Sequence, residues 1–141
     1  AANPPAKARI IPLAVAGAFH TRFMAPAEEA LRSHAEGISP TDPTLPLLSN
    51  ADGAVVTTGA EALTRLVAQV TRPVRWDACM ATLGELGVTA VIELPPAGTL
   101  VGLVKRDLKG VATLALKSPD DLEKAAALIA DHADTGNGGA A

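Results

Sequence analysis

Aromatic residues are nearly missing from this chain of 141 residues, which has only Phe19, Phe23 and Trp76. A core built almost without them must draw on Leu, Val, Ile and Ala, a composition suited to helices packed on a buried sheet. Cysteine is scarcer still. Cys79 stands alone, which excludes an internal disulfide and fits a reducing compartment. No apolar run reaches the roughly 18 residues of a membrane span. Ala1-Ala2-Asn3-Pro4-Pro5 lacks the charged and apolar regions of a secretory leader and reads as a loop from the middle of a longer chain. The expectation is a cytoplasmic protein with no membrane partner. Basic runs interleaved with aromatics are missing and the net charge is −3, so nucleic-acid binding has no support. There is no G-x-G-x-x-G or Walker-type loop for a nucleotide and no C-x-x-C or close histidine pair for a metal. No G-x-S-x-G turn or other activated nucleophile occurs either.

The chain that remains is 48% hydrophobic and 19% charged, which places it with folded rather than disordered proteins. Its length suffices for one buried core. Residues 9–16 alternate, with Ile11, Leu13 and Val15 on one face, and predict a strand that ends in a loop at Gly17. Residues 23–36 predict a helix with Pro26 in its first turn and an apolar stripe of Phe23, Ala27, Ala30, Leu31 and Ala35. Leu45 to Ser49 is short and apolar, and Asp52-Gly53 signals a turn into Val55-Val56. Thr58-Gly59-Ala60-Glu61 has capping-box spacing and opens a helix with Leu63, Leu66, Val67 and Val70 inward; Thr71-Arg72-Pro73 ends it. Trp76, Met80 and Leu83 share a face of the next helix, which stops at Gly87. A strand over Val88 to Leu94, a helix over Thr99 to Lys109 and a strand over Val111 to Leu116 follow. Ser118-Pro119-Asp120-Asp121 starts a last helix. Alternating helix and strand from residue 74 onward predict an α/β fold with parallel strands and crossover helices. Residues 133–141 are a Gly/Ala/Asn tail expected to be disordered.

Three histidines are available for chemistry. His34 lies within a helix and His132 near the end of another, positions that favour a structural or solvated role. His20 follows a strand and a Gly-Ala pair and precedes a helix, where loops on a rigid scaffold carry reactive groups. Position alone leaves both a functional and a structural role open for it. Glu28-Glu29 and Asp120-Asp121 sit in first turns of helices, where acids stabilise the end dipole. Cys79, beside Trp76 and Met80, reads as core. Lys105-Arg106 is an adjacent basic pair on a helix, either a solvated face or a contact for an acidic partner.

Four blocks turn these positions into a resemblance. Val15-Ala16-Gly17-Ala18-Phe19-His20-Thr21-x-x-Met24-x-Pro26-Ala27 resembles the catalytic-histidine segment of malonyl-CoA:acyl carrier protein transacylases. Ser49-Asn50-Ala51-Asp52-Gly53 is similar to that family's turn, and Leu66-Val67-x-Gln69-x-x-x-Pro73-Val74-x-Trp76 to its next signature. Pro96-x-Gly98-x-Leu100-x-Gly102-Leu103-x-Lys105-Arg106 resembles its late glycine loop and helix. The resemblance runs from about residue 9 to residue 125 and covers the C-terminal part of the family's chain, somewhat less than half of it.

The resemblance implies an α/β-hydrolase-like large subdomain with an inserted ferredoxin-like small one. Residues 1–20 would end the small subdomain and carry the histidine loop, and residues 21–132 would close the large one. It implies ping-pong acyl transfer in bacterial fatty-acid or polyketide synthesis. Malonyl-CoA acylates a serine, and the phosphopantetheine thiol of acyl carrier protein then takes the malonyl group. Malonyl-CoA is a substrate, and no cofactor or metal is implied. His20 takes the place of the base and Gln69 supplies the backbone carbonyl that orients it. The serine belongs to an upstream N-terminal half, so the chain alone is expected to be inactive and to expose apolar surface. Phe19 before His20 matches the malonyl-selective form of related polyketide acyltransferases, whose methylmalonyl-selective form has Ser there. Met24 either lines the same pocket or belongs to the core. Lys105 and Arg106 would face the acidic carrier protein. One departure is Pro95-Pro96-Ala97-Gly98 where the family commonly has Gly-Pro-Gly. An acyltransferase domain of a modular polyketide synthase and a non-catalytic carrier-protein-binding module are the alternatives.

Overall fold

The computed structural model describes residues 17–133. The strand expected over 9–16 and the tail beyond residue 133 lie outside the described residues.

A 3-10 turn at Arg22–Met24 leads into α1, Ala25–Ala35, with Pro26 in its first turn as expected. The apolar stripe read for this helix does not become core. No residue of α1 is buried, Phe23 is 69% exposed and Leu31 38%. β1, Leu47–Leu48, and β2, Val55–Val56, form an antiparallel ladder. The turn between them needs Gly53, whose φ is 74° and where a Cβ would stand 2.5 Å from the Ala78 carbonyl carbon. α2 spans Gly59–Gln69, and Thr58 Oγ1 accepts from the Glu61 amide at 3.2 Å, half of the expected capping box. The other half is absent because the Glu61 carboxylate turns outward to Arg65 at 2.8 Å. Val67 is the buried residue of the expected inner face, while Leu66 is 63% exposed.

α3, Trp76–Glu85, buries Cys79 and Met80. The thiol of Cys79 donates to the Ser49 carbonyl at 3.4 Å, and burial pushes its pKa up, which fits a core residue. β3, Ala90–Glu93, pairs in parallel with β4, Ala112–Ala115, from Ala90 opposite Ala112 to Glu93 opposite Ala115. α4, Leu100–Asp107, is the crossover between them, as the alternation from residue 74 predicted. α5, Leu122–His132, follows a 3-10 turn at Pro119–Asp121. Strand alternation sends α4 and α5 to opposite faces of the pair. Glu93 reaches the start of α4, whereas Ala90 and Ile92 line a groove with Leu128 and Ile129 of α5. Val101 and Val104 of α4 and Ala125 of α5 are buried here. The fold is thus α/β, built of helices and small sheets, and it leaves large apolar side chains uncovered, among them Leu45 at 78% and Leu94 at 70% exposure. Among the described residues, no helix is long and apolar enough to cross a membrane.

Candidate active site

His20 meets the C-terminal end of α2. Its Nδ1 lies 2.9 Å from the backbone carbonyl oxygen of Gln69. A carbonyl only accepts, so in the neutral imidazole this contact places the proton on Nδ1 and the lone pair on Nε2. The backbone at His20 is left-handed, with φ of 60°. Such a conformation costs a non-glycine residue about 1–2 kcal/mol, and at functional sites it is held by the surrounding structure. Thr21 does that here. Its hydroxyl donates to the Ala18 carbonyl at 2.7 Å and accepts from the Phe23 amide at 3.3 Å, pinning both sides of the turn.

The sequence supplies the acceptor by a simple device. In a continuing helix the Gln69 carbonyl would accept from the amide of residue 73. That residue is Pro73, which has no N–H. The carbonyl is therefore one of the unpaired acceptors of a helix end. It takes a 3.3 Å bond from the Arg72 amide and has its other lone pair free for the imidazole. The buried Gln69 side chain stitches the same turn from the opposite side, its Nε2 donating to the Arg72 and Pro73 carbonyls at 2.9 and 3.0 Å. The spacing Gln69-x-x-x-Pro73 thus carries a mechanical meaning that a motif match alone does not express.

Phe19 is 58% exposed, and its ring folds back over Gly17, where a Cβ would lie 3.5 Å from it. Met24 is half-buried at the start of α1. Phe19 and His20 are thus adjacent on one pinned turn. Lys105 and Arg106 are brought to no part of it by any contact described. Both are exposed in the last turn of α4, where Arg106 pairs with Asp107 at 3.0 Å. His34 bonds the Ala30 carbonyl of its own helix and His132 meets the Thr89 hydroxyl. Among the described residues, no group of three or more potential metal ligands is gathered.

One buried carboxylate went unremarked in the sequence. Glu93 accepts four backbone N–H groups, from Gly98, Thr99, Leu100 and Val101, at 2.9 to 3.3 Å. These bonds, with that from Val101 foremost, hold its pKa below the usual carboxylate range despite burial. Glu93 therefore organises the late loop and the start of α4. The signal was present as a lone acid in the apolar run Val88 to Leu94, just before a helix start. The same carboxylate bears on the departure at Pro95-Pro96-Ala97-Gly98. The loop is held by the Glu93 carboxylate, and of its last three residues only Gly98, with φ of 128°, has a conformation that demands glycine.

No protein-family model matches the chain. Among curated proteins it is 57% identical over 128 residues to the malonyl CoA-acyl carrier protein transacylase of Mycobacterium tuberculosis, covering 91% of this chain and 42% of that one. It is 34% identical over 126 residues to the Bacillus subtilis enzyme of the same name, covering 89% of this chain and 40% of that one. Among solved structures, MCAT from Mycobacterium tuberculosis superposes with a TM-score of 0.80 at 57% identity, over 87% of this chain and 41% of that one. The malonyl-CoA:ACP transacylase of Synechocystis superposes with a TM-score of 0.74 at 35% identity, over 82% of this chain and 40% of that one. A malonyl-transacylase solved in complex with a type II PKS acyl-carrier protein gives a TM-score of 0.72 at 31% identity, over 82% of this chain and 37% of that one. The chain spans about two-fifths of the length of the curated relatives it matches.

Proposed function

This chain is homologous to part of the malonyl CoA-acyl carrier protein transacylases, and from that relationship we propose that it supplies the base for malonyl transfer from malonyl-CoA to acyl carrier protein. The observation that carries the reading is the 2.9 Å contact of His20 Nδ1 with the Gln69 carbonyl. It leaves Nε2 as the basic nitrogen, which is what a serine nucleophile needs. The serine lies in the upstream half of the fold. His20 Nε2 takes the proton from its Oγ as Oγ attacks the malonyl thioester carbonyl. The carbon–sulfur bond breaks and the CoA thiolate leaves with the proton that His20 returns. The carrier protein's thiol then gives its proton to His20, its sulfur attacks the malonyl ester, and the serine recovers its proton. Gln69 fixes the ring through both half-reactions without gaining charge, so no triad acid is required.

In this reading residues 21–132 close a hydrolase-like large subdomain; the expected end of the small ferredoxin-like subdomain over 1–20 falls outside the described residues except for 17–20. Phe19, on the same turn as the base, narrows the acyl pocket beside the substrate's α-carbon, and Met24 adjoins it. Lys105 and Arg106 face the acidic carrier protein. Without the serine, the chain by itself does not complete the transfer.

The test joins this chain to the upstream half and measures intact mass after brief exposure to malonyl-CoA. We expect the mass of one malonyl group to appear, and His20→Ala to slow its appearance about 10²–10⁴-fold. A folded protein that takes up no malonyl group would overturn the reading and point to a carrier-protein-binding module.

A further inference from the structure

Resting on the role proposed for His20, we propose that Glu28 and Thr71 are a positioning pair that holds His20 against Gln69. Thr71 lies just past Gln69 in the turn that ends α2, and Glu28 lies on α1, the helix that leads directly away from His20. The Thr71 hydroxyl donates to Glu28 Oε2, and Arg32 Nη2 donates to Glu28 Oε1. The Ala68 carbonyl, at 3.5 Å, is too distant to compete for the Thr71 proton. Arg32 aims the carboxylate, Glu28 receives Thr71, and the bond is of the charge-assisted kind.

The segment from His20 to Glu28 is therefore tied to the end of α2 at two places. A single hydrogen bond, His20 to Gln69, is a pivot. A second bond some way along α1 removes the rotation about it. Apolar packing does little of this work, since no residue of α1 is buried, and Phe23 in the turn before it and Leu31 on it stay exposed. The polar link thus carries the orientation of α1, and with it the orientation of the turn at its head. When α1 swings away, Nδ1 loses the Gln69 carbonyl. The imidazole proton then divides between the two nitrogens, and Nε2 is no longer always the base. Glu28 and Thr71 touch neither substrate nor the reacting atoms. They act through the ring.

The two-half protein, with histidine labelled by ¹⁵N, gives the direct readout, because the ring nitrogen shifts report the tautomer of His20. Wild type and Thr71→Ser, which keeps the hydroxyl, are expected to show the proton on Nδ1. Thr71→Val and Glu28→Ala are each expected to show averaged shifts at both nitrogens. Their kcat for malonyl transfer should fall roughly threefold to tenfold, the worth of one lost hydrogen bond, with KM for malonyl-CoA unchanged. Glu28 is half-buried on α1 but outside the core, and alanine is a good helix former there, so that variant decides the matter if Thr71→Val fails to fold. A folded variant of either residue that keeps the wild-type tautomer and kcat overturns the pair. If the wild type itself transfers no malonyl group, the functional reading fails while the tautomer spectra still decide whether Glu28 and Thr71 hold the ring.

Discussion

Pro73 sits where the Gln69 carbonyl would otherwise find its helical partner, and the imidazole of His20 occupies that carbonyl instead, at 2.9 Å. The relationship makes Pro73 a determinant of the site although it is absent from the proposed chemistry. In Pro73→Ala an amide is restored, α2 can extend by part of a turn, and the new N–H competes with His20 for Gln69. We expect acylation by malonyl-CoA to slow about tenfold, one lost hydrogen bond. Stability should change by only about 0.4–1 kcal/mol. The check is the time course of mass gain beside a thermal unfolding curve. Unchanged acylation in the alanine variant would show that Pro73 does not govern the acceptor.

How much of this was legible in the sequence differs by element. The βαβ order from residue 74 read correctly because each strand is a mostly apolar run, broken only by Glu93 in β3 and Thr113 in β4, and α4 has a strong one-sided pattern. The His20–Gln69 pairing was reached through motif resemblance, since two residues 49 positions apart give no local signal of contact. The stripe on α1 and Leu66 on α2 misled for a physical reason. Periodicity reports which side chains a helix offers for burial, not whether anything covers them, and the α1 stripe and Leu66 stay largely open while Val67 beside it is buried. Glu93 was overlooked because a pattern search over an apolar run treats one acid as noise. Its meaning depends on four amides that only the folded loop brings together. Glu28 was read as a helix-dipole acid, which its first-turn position supports, but its bond to Thr71 spans two helices and has no sequence signature.

Phe19 offers a test of specificity separate from the test of catalysis. Its ring shares the pinned turn with His20 and rests over Gly17. Phe19→Ser opens space beside His20 without touching the His20–Gln69 bond. A methyl group in such a pocket is worth roughly 1–3 kcal/mol. The ratio of methylmalonyl to malonyl uptake, measured in competition, should therefore rise about 10- to 200-fold. An unchanged ratio would remove Phe19 from the acyl pocket.

The two basic residues of α4 should not contribute equally to carrier-protein transfer. Arg106 already has Asp107 at 3.0 Å, so part of its field is cancelled. We expect Lys105→Glu to weaken transfer to acyl carrier protein more than Arg106→Glu, and both defects to shrink at high salt, where surface charges are screened. Acylation from malonyl-CoA should be unaffected in each. Transfer that stays at the wild-type rate in the double charge reversal would place the carrier-protein contact elsewhere.

Glu93 makes the stability of the late loop depend on pH in a direction that can be worked out. Its folded-state pKa is depressed by the backbone amides of Val101, Leu100, Gly98 and Thr99. A depressed carboxylate contributes stability that is fully present above its unfolded value, about 4.3, and is lost as pH falls through the folded value. Glu93→Gln removes the charge but keeps the shape. It should therefore lower the unfolding temperature of the two-half protein at pH 7. The gap from wild type should stay constant down to about pH 5 and close progressively below the ordinary glutamate value near 4.3. Exchange of the Leu100 and Val101 amides with solvent should quicken in the variant at pH 7, because their acceptor has lost its charge. A gap that persisted unchanged in strong acid would mean that Glu93 holds the loop by its shape and packing, with no contribution from ionisation.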